Sequence, residues 1–517
     1  MSSSETPTDG DLVVVSTSLG DVRGDWHDGV ARFAGIPFAA APVGELRFRP
    51  PAPREPWTDV RDATAFAAVS PQNPSMLDAM FGGEAETWDE DCLHLNVWTP
   101  DPAPAAGRPV MVWIHGGGFE MGSGSSALYD GTHFAGNGVV YVSLNYRLGA
   151  LGFLDLTSLD PAEAGSGNVG LLDQVAALEW VRDNIASFGG DPGNVTIFGE
   201  SAGSMSVSLL LTIERARGLF HRAIAQSGGP LTKSPAHAAS DTAEFLAAAG
   251  VSTVTELRDL PVKDLLAAHA AMNISRVSDP EGVIQRTGSP ISFLPFTPVA
   301  DGVVVPSDPL AAVASGSGAG VDLIAGTNLE EWKLFALMMP RPIQDEAALR
   351  ERLALVTDDV DAALDAYRAD HPDAAPAEIE SAVLTDVVFR IPTSELVDAH
   401  AAHATARQYR FDWKSPAWGG MIGAAHAVEI PFVFEMVTDH RLHVLVGADA
   451  PVSLAKAMHR AWVAFATTGS PSVEGVGDWP AVTAGDDRRP VVLFDTTTTL
   501  ADDPLAATRR YWTDRKG

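Results

Sequence analysis

The chain has 517 residues, 46% hydrophobic and 20% charged, with 12 Trp, a composition that excludes a disordered or fibrous protein. Its 35 Lys and Arg stand against 67 Asp and Glu, a formal charge of −32, so phosphate backbones and anionic lipid are repelled and neither nucleic acid nor a membrane is an expected partner. The single cysteine, Cys92, excludes an intrachain disulfide; the start MSSSETPTDGDL has no basic n-region, and no apolar run approaches the ~20 residues that span a bilayer, so a cytoplasmic protein is expected.

Residues 1–10 lack any periodicity and read as a disordered tail, with order starting at the alternating stretch 12–15. Length alone suggests about three domains. The pattern from about residue 107 argues instead for one α/β unit over 11–517, because short β-branched runs alternate repeatedly with helical periodicity. Residues 112–114 and 139–144 read as buried strands. Residues 173–188 read as a helix with Val175, Leu178, Val181 and Ile185 on one face, broken by GGDPGN. A buried strand at 195–198, a turn and a helix at 205–213 follow. Ala-rich, acidic helical stretches near 231–290 and 336–400 read as insertions above the sheet, and 453–467 is the last strong helix, with Leu454, Met458, Trp462 and Phe465 on one face.

The sharpest chemical signal is Gly199-Glu200-Ser201-Ala202-Gly203, a G-x-S-x-G element placed between a strand and a helix. A sharp turn there lifts the Ser201 hydroxyl clear of the backbone, which requires small residues two before and two after it. The following helix aims its first N–H groups at the space where an anionic intermediate forms. The competing reading, a chance Gly/Ser turn, has no use for the flanking strand and helix. His115-Gly116-Gly117-Gly118-Phe119 follows the strand MVWI, and its glycines free backbone N–H groups to approach a ligand; with no G-K-[ST] after it, a phosphate loop is not indicated. Gly117, Gly118 and Ala202 would supply three oxyanion donors.

A serine nucleophile needs a base and a group to orient it. Of the 14 histidines, His426 is the choice, because it lies in the small-residue loop GGMIGAAHAVEIPF beyond the alternating strand 408–413. His400 and His403 have a spacing that could hold a metal, but no third ligand accompanies them. The acid is Glu330 or Glu331, after the buried strand VDLIAG and between the serine and the histidine in sequence, the order Ser, acid, His of α/β-hydrolases.

These residues together resemble the type B carboxylesterases of the α/β-hydrolase superfamily, the branch that includes bacterial para-nitrobenzyl esterase-like enzymes. The resemblance is carried along nearly the whole chain by FAGIPFA (33–39), LRF (46–48), EDCLHLNV (90–97), the HGGGF loop, NYRLG (145–149), GGDP (189–192), the elbow, QSG (226–228), HAVEIPFVF (426–434) and WP (479–480). It implies an α/β-hydrolase fold, a mostly parallel mixed sheet flanked by helices with helical insertions over the site. It also implies a serine carboxylesterase acting on short to medium acyl esters of phenols and simple alcohols through an acyl-enzyme, with no metal or cofactor and a small-molecule ester as partner. Ser201 becomes the nucleophile, His426 the base, Glu331 rather than Glu330 the acid, and Ser227 the hydroxyl supporting that acid. An amidase, carbamate hydrolase or lactonase on the same site is the alternative, and a non-catalytic protein of the same fold the second. Three departures from the family pattern stand out: Trp332 where the family has Gly after the acid, Ser70 where many relatives have the cysteine that pairs with the counterpart of Cys92, and Gly82 where cholinesterases carry a choline-binding Trp. Trp88 is displaced from that position, so choline esters are expected to be poor substrates.

Overall fold

The computed structural model describes residues 7–74, 86–287, 294–338 and 343–516. Its strands are β1 (Leu12–Thr17), β2 (Gly20–His27), β3 (Val30–Pro37), β4 (Arg61–Asp62), β5 (His94–Thr99), β6 (Arg108–Ile114), β7 (Val140–Leu144), β8 (Gly190–Glu200), β9 (Arg222–Gln226), β10 (Asp322–Asn328), β11 (Ala406–Phe411), β12 (Pro490–Phe494) and β13 (Thr499–Asp502). They form one sheet in the order β1-β2-β3-β5-β7-β6-β8-β9-β10-β11-β12-β13, with β4 beside β2. From β7 to β12 every neighbouring pair is parallel. The strands outside that block pair antiparallel, apart from the short β2–β4 contact. This is the mostly parallel mixed sheet of an α/β-hydrolase.

Strand periodicity sorts the core into two layers, because successive side chains leave opposite faces of the sheet. Val110, Val112 and Ile114 of β6 join one buried cluster with Ile197 of β8 and with Val175, Leu178 and Val181 of α1 (Val169–Asn184). Met111 and Trp113 join the other, where Phe198 meets Met458, Trp462 and Phe465. A parallel strand buried on both faces reads as a continuous apolar run, which is how 110–114 and 195–198 look in sequence. Continuing along the chain, the helices that matter for the site are α2 (Ala202–Leu210), α3 (Pro235–Ala249), α4 (Val262–Ser278), α5 (Trp332–Met338), α6 (Ile391–His400) and α7 (Val452–Thr468). A third, smaller apolar cluster, with Leu349, Leu364, Tyr367 and Val383, sits within 343–385 and touches Trp512 near the chain's end.

Two boundaries differ from the periodicity. Helix α1 starts at Val169 rather than at 173, because Asp173 is an interior residue of the helix: it is fully buried and takes a bidentate pair of hydrogen bonds from Arg147, at 2.7 Å each. Its last turn tightens into a 3-10 turn at Ile185–Phe188 and ends at Gly189, φ +84°. Strand β8 then begins at Gly190, inside the GGDPGN stretch, where Arg108 of β6 pairs with Gly190. At the N-terminus, residues 1–6 of the expected tail lie outside the described residues, whereas Gly10 donates to the Trp26 carbonyl at 2.8 Å and is tied to the sheet edge.

Candidate active site

Strand β8 ends at Glu200, and Ser201 turns the chain into α2 with φ +59° and ψ −122°, a conformation that is strained for a residue with a side chain. The two glycines that frame it are required by sterics. A Cβ on Gly199 would lie 2.5 Å from the Ile114 carbonyl oxygen, and one on Gly203 only 2.0 Å from the same atom. The turn is pinned by Ser201 N–H to the Gln226 carbonyl at 2.9 Å.

Beside it, the loop after β6 runs through three consecutive left-handed residues, Gly117 (φ +107°), Gly118 (φ +64°) and Phe119 (φ +63°). At Gly117 a Cβ would fall 2.1 Å from the Met121 carbonyl oxygen, so only glycine fits. The loop is held from below: Tyr146 Oη donates to the His115 carbonyl at 2.9 Å, Gly149 N–H to the Phe119 carbonyl at 2.7 Å, and Gly122 N–H to Gln72 Oε1 at 2.8 Å. Burial keeps His115 uncharged, its pKa pushed down to about 4. Ser70 Oγ accepts from Leu148 N–H at 3.1 Å, and Val69 pairs with Trp88, so noncovalent contacts hold the ends of the 70–92 loop. Cys92 is buried and free, and burial pushes its thiol up to about 12. Gly82 lies outside the described residues.

Across the turn, His426 Nδ1 lies 2.7 Å from Glu331 Oε2. Glu331 is fully buried, and its second oxygen accepts from Asn328 N–H at 2.7 Å. Its neighbour Glu330 points elsewhere, to Lys333 at 2.8 Å, Lys414 at 3.1 Å and Ala424 N–H at 3.0 Å. Burial works against the Glu330 charge, but Lys333 and these other donors outweigh it and hold its pKa below the usual carboxylate range. The structure therefore brings Glu331, not Glu330, to the histidine. Ser227 does not supply the support expected of it: its backbone donates to the Gly326 carbonyl at 2.8 Å, but its buried Oγ has no hydrogen-bond partner among the described residues. The Asn328 N–H takes that place.

Two further carboxylates, neither assigned a role from the sequence, reach the site. Glu200 Oε1 lies 3.1 Å from His426 Nε2, with both side chains buried. Glu429 accepts from Asn328 Nδ2 at 2.6 Å and Gln226 Nε2 at 3.2 Å. Burial pushes the Glu200 pKa well above the usual carboxylate range, and it pushes Glu429, with the Glu331 charge, up to about 7. On His426 burial opposes the charge, but Glu200 and Glu331 outweigh it and raise the imidazole to about 9. Glu200 and His426 each favour the other's charged form, so their protonation is linked. A signal for Glu200 was present: it is the titratable x of G-x-S-x-G, fixed one residue from the serine.

Gly117, Gly118, Ser201, Ala202, Glu200 and His426 line one cavity of about 180 Å³ that opens to solvent. Its walls are apolar. Helix α5 contributes Trp332, Leu334, Phe335 and Met338; Leu294, Val388 and Phe389 come from segments flanking it in the chain. Trp332, at the position where the family pattern has Gly, thus forms part of the cavity wall. Phe335 and Phe389 pack on the His426 ring at 5.2 and 4.7 Å. The remaining histidine pair is kept apart from this chemistry, with His400 bonded to the Val321 carbonyl and His403 to the Ala314 carbonyl.

The family model described as "Carboxylesterase family" matches residues 11–512. The para-nitrobenzyl esterase of Bacillus subtilis (strain 168) is 40% identical over 98% of this chain and 99% of its own. The phenmedipham hydrolase of Pseudarthrobacter oxydans is 34% identical over 95% of this chain and 97% of its own. Among solved structures, a PNB esterase superposes with a TM-score of 0.84 at 38% identity, over 96% of this chain and 98% of that one. A Geobacillus stearothermophilus carboxylesterase does so with 0.82 at 36%, over 97% and 100%.

Proposed function

The chain belongs to the carboxylesterase family and is a carboxylic ester hydrolase, and from that premise we propose that Ser201, His426 and Glu331 carry the reaction, with the N–H groups of Gly117, Gly118 and Ala202 as the oxyanion hole. The observation that carries this reading is the buried 2.7 Å contact between Glu331 and His426, on a cavity shared with Ser201. His426 takes the Ser201 proton as Oγ attacks the ester carbonyl. The carbonyl oxygen becomes an anion facing the three N–H groups, each worth about 2.7–4 kcal/mol to the transition state. Collapse expels the alcohol, which takes the proton from His426. Water then repeats the cycle on the acyl-enzyme, its proton passing through His426 back to Ser201 as the acid leaves. Glu331 keeps the imidazole oriented and balances its charge, and the Glu200 carboxyl, lying at the same Nε2, sets how readily that nitrogen accepts the proton.

The substrates in this reading are short to medium acyl esters of phenols and simple alcohols, and aryl esters suit the Trp332, Phe335 and Phe389 walls. The similarity to esterases favours ester over amide or carbamate hydrolysis. Among the described residues no helix is long and apolar enough to cross a membrane; a cytoplasmic site of action is part of the proposal, supported by the lone, unpaired Cys92. The test is a series of 4-nitrophenyl esters from acetate to palmitate, run beside the matching anilide. Highest kcat/KM between C2 and C8, with the anilide far slower, is the expected result; a preference for the anilide or for palmitate overturns the substrate assignment. Butyrylthiocholine should be turned over less efficiently than 4-nitrophenyl butyrate, since Trp88 is 40% exposed and does not line the cavity; equal efficiency would mean that Trp332, which does, supplies the aromatic face.

A further inference from the structure

The loop bearing Gly117 and Gly118 is anchored from below by His115, Tyr146 and Gln72, all parts of the sheet core or its flanking loops. One anchor runs the other way. Glu120, directly after the left-handed run at 117–119, is buried, and its Oε2 lies 3.0 Å from His269 Nε2 and accepts from Asn273 Nδ2 at 2.8 Å. Both partners sit on α4, one turn apart, so a single helix face presents them together. The His269 ring is wedged against Phe296 at 4.6 Å, and its Nδ1 would lie 3.1 Å from a Cβ placed on Gly149, the residue whose N–H holds the Phe119 carbonyl. Leu294 and Thr297, either side of Phe296, line the cavity, and Leu294 would lie 3.2 Å from a Cβ on Gly118.

We infer that Glu120, His269 and Asn273 form a buried polar clasp that fixes the oxyanion loop against the helical insertion, making them positioning residues for the Gly117 and Gly118 donors. The inference rests on the oxyanion assignment above. Of the three left-handed residues, Gly117 and Gly118 take that region freely, whereas Phe119 is strained there and persists only where its surroundings over-determine it. Glu120 is the first residue after that run, so a lateral shift there is passed to the N–H groups that precede it. Because Glu120 lies outside the cavity lining, it acts through the loop and not on the substrate. Loss of the clasp leaves substrate binding intact but misplaces donors whose worth depends on sub-ångström placement.

The experiment uses 4-nitrophenyl butyrate and an aryl trifluoromethyl ketone, whose carbonyl carbon bonds to the serine oxygen while its own oxygen becomes an anion in the hole. His269→Ala should lower kcat about tenfold with KM within about twofold, and should weaken the ketone by a similar factor. Glu120→Gln, which keeps the shape and an acceptor for Asn273, should stay within about threefold of wild type. Asn273→Leu should repeat the kcat and ketone losses in smaller measure, and serves should His269→Ala fail to fold. Unchanged ketone affinity in the folded variants, or kcat and KM degrading together with Tm, would overturn the clasp. Failure of the wild-type enzyme to bind the ketone would instead overturn the oxyanion assignment itself.

Discussion

The two halves of the site are built by different means. The elbow and the glycine loop are made of backbone: left-handed residues at 117–119 and 201, glycines that no other residue can replace, and, in the proposed reaction, N–H groups as the working parts. The acid–histidine half is made of side chains drawn from separate loops, where Glu331, Glu200 and Glu429 converge on His426 and Asn328. Local sterics determine the first half, whereas long-range burial of charge determines the second. Backbone construction tolerates almost no substitution. A charge network can be retuned one carboxylate at a time.

The single most damaging change should fall in the first half. Ser201→Ala should lower kcat by about 10⁵–10⁶-fold with the thermal melt nearly unchanged, because a turn hydroxyl at the cavity serves catalysis rather than packing. Gly117→Ala removes no functional group at all, yet its Cβ would meet the Met121 carbonyl at 2.1 Å, so the loop must move and kcat should fall at least about 10²-fold. A fully active Gly117→Ala would show that backbone placement is not what this half supplies.

Next come the two adjacent glutamates. Glu331→Gln leaves the imidazole without its charge partner and should lower kcat about 10³-fold or more, whereas Glu330→Gln disturbs only contacts to Lys333, Lys414 and Ala424 and should cost less than about threefold. Steady-state kinetics of the pair decides; the reverse ranking would mean that the loop after β10 shifts its register in the working enzyme.

This difference in construction also explains what could be read from the sequence. G-x-S-x-G and HGGGF were legible because a strained turn and a close backbone approach demand glycine at fixed spacing, and the strands around them were legible because both faces are apolar. His426 and Glu331 were placed by loop context, chain order and family resemblance, since nothing local distinguishes Glu331 from Glu330; which carboxylate faces the histidine depends on Lys333 and Lys414 drawing the other away. Glu429 and the Glu120–His269 contact are not legible, because each arises where distant segments fold together; Glu200 stands beside the serine in sequence, but its contact with His426 is likewise made only by the fold. The α1 start was missed for a related reason: a buried Asp173 paired with Arg147 looks in sequence like a helix-opening acid.

Glu200 offers a finer test of the charge network. Its carboxyl helps to hold the His426 pKa up to about 9. The imidazole is a base only when neutral, so kcat/KM should rise with pH through the acid limb set by the linked His426 and Glu200. Glu200→Gln removes the negative charge, favours neutral imidazole and should move that limb to lower pH by about one unit. A limb displaced upward, or unmoved, would show that Glu200 does not bear on the histidine.

The smallest effect should come from Ser227, which lies in the acid half by position but is fixed by its backbone. Its φ of +63° places it in the left-handed region, its N–H holds the Gly326 carbonyl, and its Oγ is buried without a hydrogen-bond partner among the described residues. Alanine carries the same left-handed strain as serine and leaves the backbone bond in place, so Ser227→Ala should change kcat by less than about threefold and Tm only slightly. Glycine relieves the strain, so Ser227→Gly should melt no lower than Ser227→Ala by calorimetry. A loss of activity approaching that of Glu331→Gln would place the Ser227 hydroxyl on the acid during turnover, and the side-chain half would then need one more member than the resting geometry gives it.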